Sequence, residues 1–261
     1  MKILFIGDVV GRPGREILAA RLRGLINTWR ADLVIVNGEN AAGGKGITPD
    51  VARELFDAGA DVITMGNHTW DNRAILQCID AEPNLIRPAN YPPGTPGRGY
   101  TLYELSPGRK PVAVINLMGR VFMQAIDCPF AGIDRILKEL EGITPLIFVD
   151  FHAEVTSEKI AMGWYLDGRV TAVAGTHTHV QTADERILPK GTAFISDAGM
   201  TGPRDSVLGV DPQIIIRKFT TQMPVRHELA EGQKTLNGIF VEAEENTGRA
   251  SKIVRIQEYM D

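Results

Sequence analysis

A chain of 261 residues, 44% hydrophobic and 23% charged, is long enough to bury one large core and ordinary enough in composition to be globular. Its 28 basic residues against 32 acidic ones supply no cationic field of the kind that draws duplex DNA or an anionic membrane surface, which excludes both as first partners. The amino-terminal apolar run, Ile3 to Ile6, is too short for a signal peptide or a membrane span, so a cytoplasmic location and one domain over residues 1–261 are expected.

In chain order, short runs rich in Val and Ile predict buried strands at Ile3 to Ile6, Leu33 to Val36, Val62 to Thr64, Val112 to Leu117, Leu146 to Phe151, Val170 to Ala174 and Thr192 to Ile195. Helices are expected between several of them. One starts at Thr48-Pro49-Asp50, where Thr caps, Pro fits the first turn and Asp complements the helix dipole. The Pro- and Gly-crowded stretch from Arg87 to Gly99 reads as a surface loop. Near the end, alternating polar and apolar residues on both sides of Glu244 to Gly248 predict an antiparallel hairpin that closes a sheet. Alternation of strand and helix makes the fold class α/β. Cys78 and Cys128, with no partner at metal or redox spacing, read as buried or partly buried thiols.

Polar residues gather immediately after these strands, the edge where open α/β sheets place their sites. Asp8 follows the first, Asn37 to Asn40 the second, Asn67 and His68 the third, and His152 and the His177-Thr178-His179 triplet two later ones. Four of the five histidines lie in these segments; His227 stands apart. Taken singly, Asp8 reads equally as a turn residue, Asn67 as a turn with left-handed backbone, and His152 as a hydrogen-bonded core imidazole. Residues two apart in an extended segment face one side, so His177 and His179 suit neighbouring metal ions. Together the groups make a metal centre. Imidazole, carboxylate and amide oxygen without thiolate suit Mn, Fe or Zn at a hydrolytic centre. Seven such groups exceed the need of one ion, and a pair about 3.5 to 4 Å apart sharing one carboxylate activates water and neutralises phosphate oxygens.

Gly43-Gly44-Lys45-Gly46 is not a phosphate-cradling P-loop: Glu39 stands where the first glycine is required and Gly46 where Ser or Thr is required. It reads as a flexible turn, or as a loop whose Lys45 touches substrate.

The Gly-Asp, Gly-Asn-His, later His and Gly-Thr-His-Thr-His motifs resemble those of calcineurin-like metallophosphoesterases. More narrowly, Asn37 to Gly46, Asp150 to Glu154 and Ser196 to Pro203 resemble the bacterial YmdB type of phosphodiesterase. Two departures from the broad superfamily stand out: Val10 replaces a histidine and Glu39 a bridging aspartate. The resemblance implies a four-layer α/β/β/α sandwich of the metallophosphoesterase type and two transition-metal ions per chain. One would be held by Asp8, Glu39, Asn40 and His179, the other by Glu39, Asn67, His152 and His177. An amide oxygen in place of an imidazole favours Fe or Mn over Zn. His68 is left to act catalytically, protonating the leaving group as a metal-bridging hydroxide attacks phosphorus, a task suited to imidazole. Asp71 is either its orienting carboxylate or, on the preferred reading, the N-cap of a following helix.

The implied substrate is a small phosphate ester, in particular a 2′,3′-cyclic nucleotide. The alternatives are a phosphomonoesterase, an RNA-end-processing phosphodiesterase, or a regulatory protein that binds metal and nucleotide without turnover. A homo-oligomer is compatible with the sequence. The loop from Asp197 to Asp211, with Thr201, Arg204 and Ser206 among glycines, suits a pocket rim.

Overall fold

The computed structural model describes residues 1–261. Its first sheet begins with β1 (Lys2–Ile6), β2 (Leu33–Asn37), β3 (Val62–Thr64) and β4 (Leu85–Ile86), paired in parallel. Their β-branched and large apolar residues are buried on both faces, which is why these strands show no alternation in sequence. Helices α1 (Gly11–Trp29) and α2 (Pro49–Ala58) connect them. Thr48 caps α2 as expected, its hydroxyl accepting from Val51 N at 3.2 Å, with Pro49 in the first turn.

The second sheet holds β5 (Tyr100–Tyr103), β6 (Val112–Met118), β7 (Ile147–His152), β8 (Ala172–Thr176), β9 (Arg186–Ile187) and β10 (Ala193–Ile195), in the order β5-β6-β7-β8-β10-β9. Helices α3 (Pro129–Glu139) and α4 (Thr156–Leu166) link β6 to β7 and β7 to β8. The chain then crosses back through β11 (Gly202–Pro203) and α5 (Pro212–Thr221) to β12 (Lys234–Ala243) and β13 (Ala250–Met260). These last two form the expected hairpin, and β12 lies antiparallel to β1 in the first sheet.

Alternation along β1 shows how the layers stack. Leu4 and Ile6 pack with Leu18 and Leu22 of α1 and Leu55 of α2, whereas Ile3 and Phe5 face the second sheet. There the Phe5 and Phe148 rings lie 5.0 Å apart. On the far side, Ile115, Val149 and Phe151 pack with Ile133 of α3 and Met162 of α4.

The Arg87 to Gly99 stretch is more ordered than a plain surface loop. Arg87 is buried, and its guanidinium donates to the carbonyls of Pro88, Thr95, Pro96 and Gly97, which folds the stretch around one cation. Cys78 and Cys128 are free, partly buried thiols. No helix is long and apolar enough to cross a membrane.

Candidate metal centre

The carboxyl ends of β1, β2 and β3 from one sheet and of β7 and β8 from the other converge on one edge. Asp8, Glu39, Asn40, Asn67, His152, His177 and His179 are brought together there. Two donor clusters form, one of Glu39, His152 and His177 and one of Asp8, Glu39 and His179, each with its ligand atoms within 4.8 Å of one another. Glu39 belongs to both.

Hydrogen bonds fix how each histidine faces the centre. The single hydroxyl proton of Thr176 goes to Asp150 Oδ1 at 2.7 Å, so Thr176 Oγ1 accepts from His152 Nδ1 at 2.9 Å and Nε2 is turned inward. His177 directs Nε2 outward to Glu154 Oε2 at 3.0 Å, and His179 directs Nδ1 outward to the Leu208 carbonyl at 3.1 Å. A partner that takes the outer N–H is the usual companion of a metal-ligating imidazole. Around His152 Nε2 stand Asn67 Oδ1 at 2.9 Å, His177 Nδ1 at 3.0 Å and Glu39 Oε1 at 3.3 Å. One proton on that nitrogen serves one of these acceptors; a cation serves all of them. Asn40 repeats the pattern: its amide N–H donates to the Gly44 carbonyl, and its oxygen faces His179 Nε2 at 3.3 Å.

The electrostatics agree. Asp8 is fully buried and its Oδ1 has no hydrogen-bond partner, the kind of orphaned oxygen that a cation satisfies. Burial pushes its carboxyl above the usual carboxylate range, against the pull of the His152 and His179 imidazoles. Burial is the largest influence on Glu39 and raises it, but the charge and hydrogen bond of His152 together with His68 outweigh burial and hold that carboxyl low. For His152 burial acts downward, yet Glu39, Asp8 and Asp150 lift it to about 9. His177 is driven down to about 3, chiefly by burial. The residues present therefore fit a cationic group.

A family model described as YmdB-like protein matches residues 4–256. The chain belongs to that family. It is 55% identical over 98% of its length to a protein of Bacillus subtilis strain 168 named 2′,3′-cyclic-nucleotide 2′-phosphodiesterase, covering 96% of that protein. Among solved structures, a hypothetical protein from Thermus thermophilus superposes with a TM-score of 0.93 at 40% identity, with 100% of each chain covered. A phosphatase from Mycoplasma pneumoniae superposes at 0.92 with 38% identity, covering 99% of this chain and 93% of that one.

Other features of this YmdB-like site depart from the sequence reading. Asp71 does not cap the next helical turn; Asn72 does, accepting from Ala74 N, and Asp71 Oδ2 instead lies 2.8 Å from His68 Nδ1. The His177 to His179 segment is not extended. Both histidines have positive φ, 98° and 66°, and each joins a different cluster. Asp197 holds them so: its Oδ2 accepts from both the amide and the hydroxyl of Thr178, at 3.0 and 2.6 Å, and from Lys159 Nζ at 2.7 Å, with the ion pair buried. The glycine loop is tied down rather than free, with Gly44 N donating to the Asn40 carbonyl. Lys45 lines a cavity of about 440 Å³ with His179, Leu208 and His227. Arg204 turns away from the site to Gln233 and the Tyr259 ring, while Thr201 is buried with its N–H on the Asp8 carbonyl. Asp150 and Asp197 lie in the motifs that carry the family resemblance, where nothing local marked a role for them; Lys159 gave no local signal, because its partner is 38 residues away.

Proposed function

We propose that the chain is a dinuclear metal-dependent phosphoesterase that hydrolyses 2′,3′-cyclic nucleotides. The observation that carries this reading is the pair of donor clusters sharing Glu39, with His68 beside them: the backbone N–H of His68 donates to Glu39 Oε2 at 3.0 Å. Asp8, Glu39, Asn40 and His179 would hold one ion, and Glu39, Asn67, His152 and His177 the other. When bound, such a pair activates water and neutralises phosphoryl oxygens in an in-line displacement. The amide oxygens of Asn40 and Asn67 favour Fe or Mn over Zn.

Hydrolysis joins the oxygen of a water to phosphorus, breaks one P–O bond of the cyclic ester and returns a proton to the departing ribose oxygen. His68 supplies that proton. Asp71 takes its Nδ1–H, which leaves Nε2 as the nitrogen that carries the transferable proton and steadies the imidazolium before transfer. The name of the Bacillus subtilis relative supports this substrate class. The three stacked cores support a four-layer α/β/β/α sandwich forming one domain over residues 1–261, and we assign the enzyme to the cytoplasm.

The test is metal content by mass spectrometry, paired with turnover of bis-p-nitrophenyl phosphate and 2′,3′-cyclic AMP. About two transition-metal ions per chain and chelator-sensitive turnover of both are expected. Glu39→Ala should lose metal and activity together, and His68→Ala should lose turnover at unchanged metal content. Full activity in His68→Ala would remove the acid role. A cyclic nucleotide left intact while a monoester is cleaved would move the reading to a phosphomonoesterase.

A further inference from the structure

The loop that follows β6 is not used by the chemistry above, yet it borders the site. Gly119 N donates to the carbonyl of His152 at 2.9 Å. Three residues on, Phe122 is 89% exposed, the most exposed large hydrophobic side chain of the protein. It occupies the third position of a turn closed by Met123 N to the Arg120 carbonyl, with φ of 61°. Glycine is the residue suited to that position, and an aromatic ring there is strained. Strain and solvent exposure of a large apolar ring both cost stability, and neither is offset by packing.

The turn is nevertheless held firmly. The Glu158 carboxylate accepts from Arg120 N at 3.0 Å and Val121 N at 3.2 Å. Buried Asn90 ties the far end, its amide N–H groups donating to the carbonyls of Met118 and Asp127. Beside it, the Tyr91 hydroxyl donates to Gln124 Oε1 at 3.4 Å, and the Tyr91 ring meets Trp70 edge-on at 5.8 Å. Trp70 lies between His68 and Asp71 in the chain, so a run of contacts through Gln124, Tyr91 and Trp70 links the turn to the segment of the proposed acid.

Substrate chemistry then places the nucleoside. In a 2′,3′-cyclic nucleotide both ester oxygens belong to one ribose, so the group protonating the departing oxygen has the nucleoside next to it. We propose that the Arg120–Met123 turn is the nucleobase platform of this site, with Phe122 stacking on the base. The inference rests on the cyclic-nucleotide reading above. Every base offers a π-face, so the platform selects nucleotides over other cyclic phosphates without choosing among bases.

The test uses metal-loaded full-length protein. Loss of a base–aromatic stack is worth about tenfold in affinity. In Phe122→Ala, calorimetry should show 3′-AMP binding about tenfold more weakly. The preference for 2′,3′-cyclic AMP over the base-free methyl riboside 2′,3′-cyclic phosphate should fall similarly, through KM rather than kcat. Phe122→Gly, which suits the positive φ and keeps the turn, should behave alike, and Phe122→Trp should retain both properties. An unchanged preference together with an unchanged 3′-AMP affinity in Phe122→Ala and Phe122→Gly overturns the platform. If 3′-AMP binding depends on Phe122 but the wild-type protein hydrolyses no cyclic nucleotide, the phosphodiesterase reading fails and the platform stands.

Discussion

Asp197 carries a heavier load than its place outside the proposed ligand sets suggests. One of its oxygens receives Thr178 twice and Lys159 once; the other accepts from Gly199 N. Thr178 sits between two histidines whose backbones are both left-handed, a conformation that costs energy and persists only where its surroundings enforce it. Asp197→Asn should therefore weaken metal binding about 10- to 100-fold, as loss of a partner behind metal ligands does, measured by competition with a chelator. It should also destabilise the fold by about 3 to 5 kcal/mol, because Lys159 is left charged and buried. The double variant Lys159→Met/Asp197→Asn should recover most of that stability in urea unfolding but not the metal affinity. Recovery of both would mean that Asp197 only balances Lys159.

At the scale of elements, legibility followed burial. Strands β1, β2, β3, β6 and β7 are covered on both faces, so their sequences are largely apolar runs, interrupted by Asn116 in β6 and Asp150 in β7, whose ends can be read to within a residue or two. The two-residue strands β4, β9 and β11 are too short to carry any period. The site was legible for the same reason: a ligand-type residue directly after an apolar run is a local pattern. The groups that aim those residues were not, since Asp150 reaches Asn37 across 113 positions and Glu154 meets His177 across the gap between two strands. Phe5 shows how an element reports on the site. It packs on Phe148 between the sheets, so Phe5→Ala should cost about 3 to 5 kcal/mol in urea unfolding, as large-to-small core changes do. It should also weaken metal binding. Leu22→Ala, on the helix side of the same sheet, should cost about 2 to 5 kcal/mol and leave metal binding near wild type.

For the whole molecule, the deciding fact is that neither sheet owns the site. Asp8, Glu39, Asn40 and Asn67 follow strands of the first sheet, whereas His152, His177 and His179 belong to strand ends of the second. The same division explains why the motifs look weak one at a time: each strand end contributes one or two groups, and only the packing of sheet on sheet makes a cluster.

Donors drawn from both halves would turn a bound ion into a clasp. A group that binds only the folded chain stabilises it by about 4 kcal/mol when present at a thousand times its dissociation constant. Stripping the metal with a chelator should therefore lower the melting temperature by several degrees in differential scanning calorimetry, reversibly on reloading; an unmoved melting temperature would mean that the sheets hold together without help. If the clasp is real, metal supply governs more than turnover. A cell short of the metal would hold this protein as a looser body, opened more often and exposed to proteases, so its abundance would track the same nutrient as its activity.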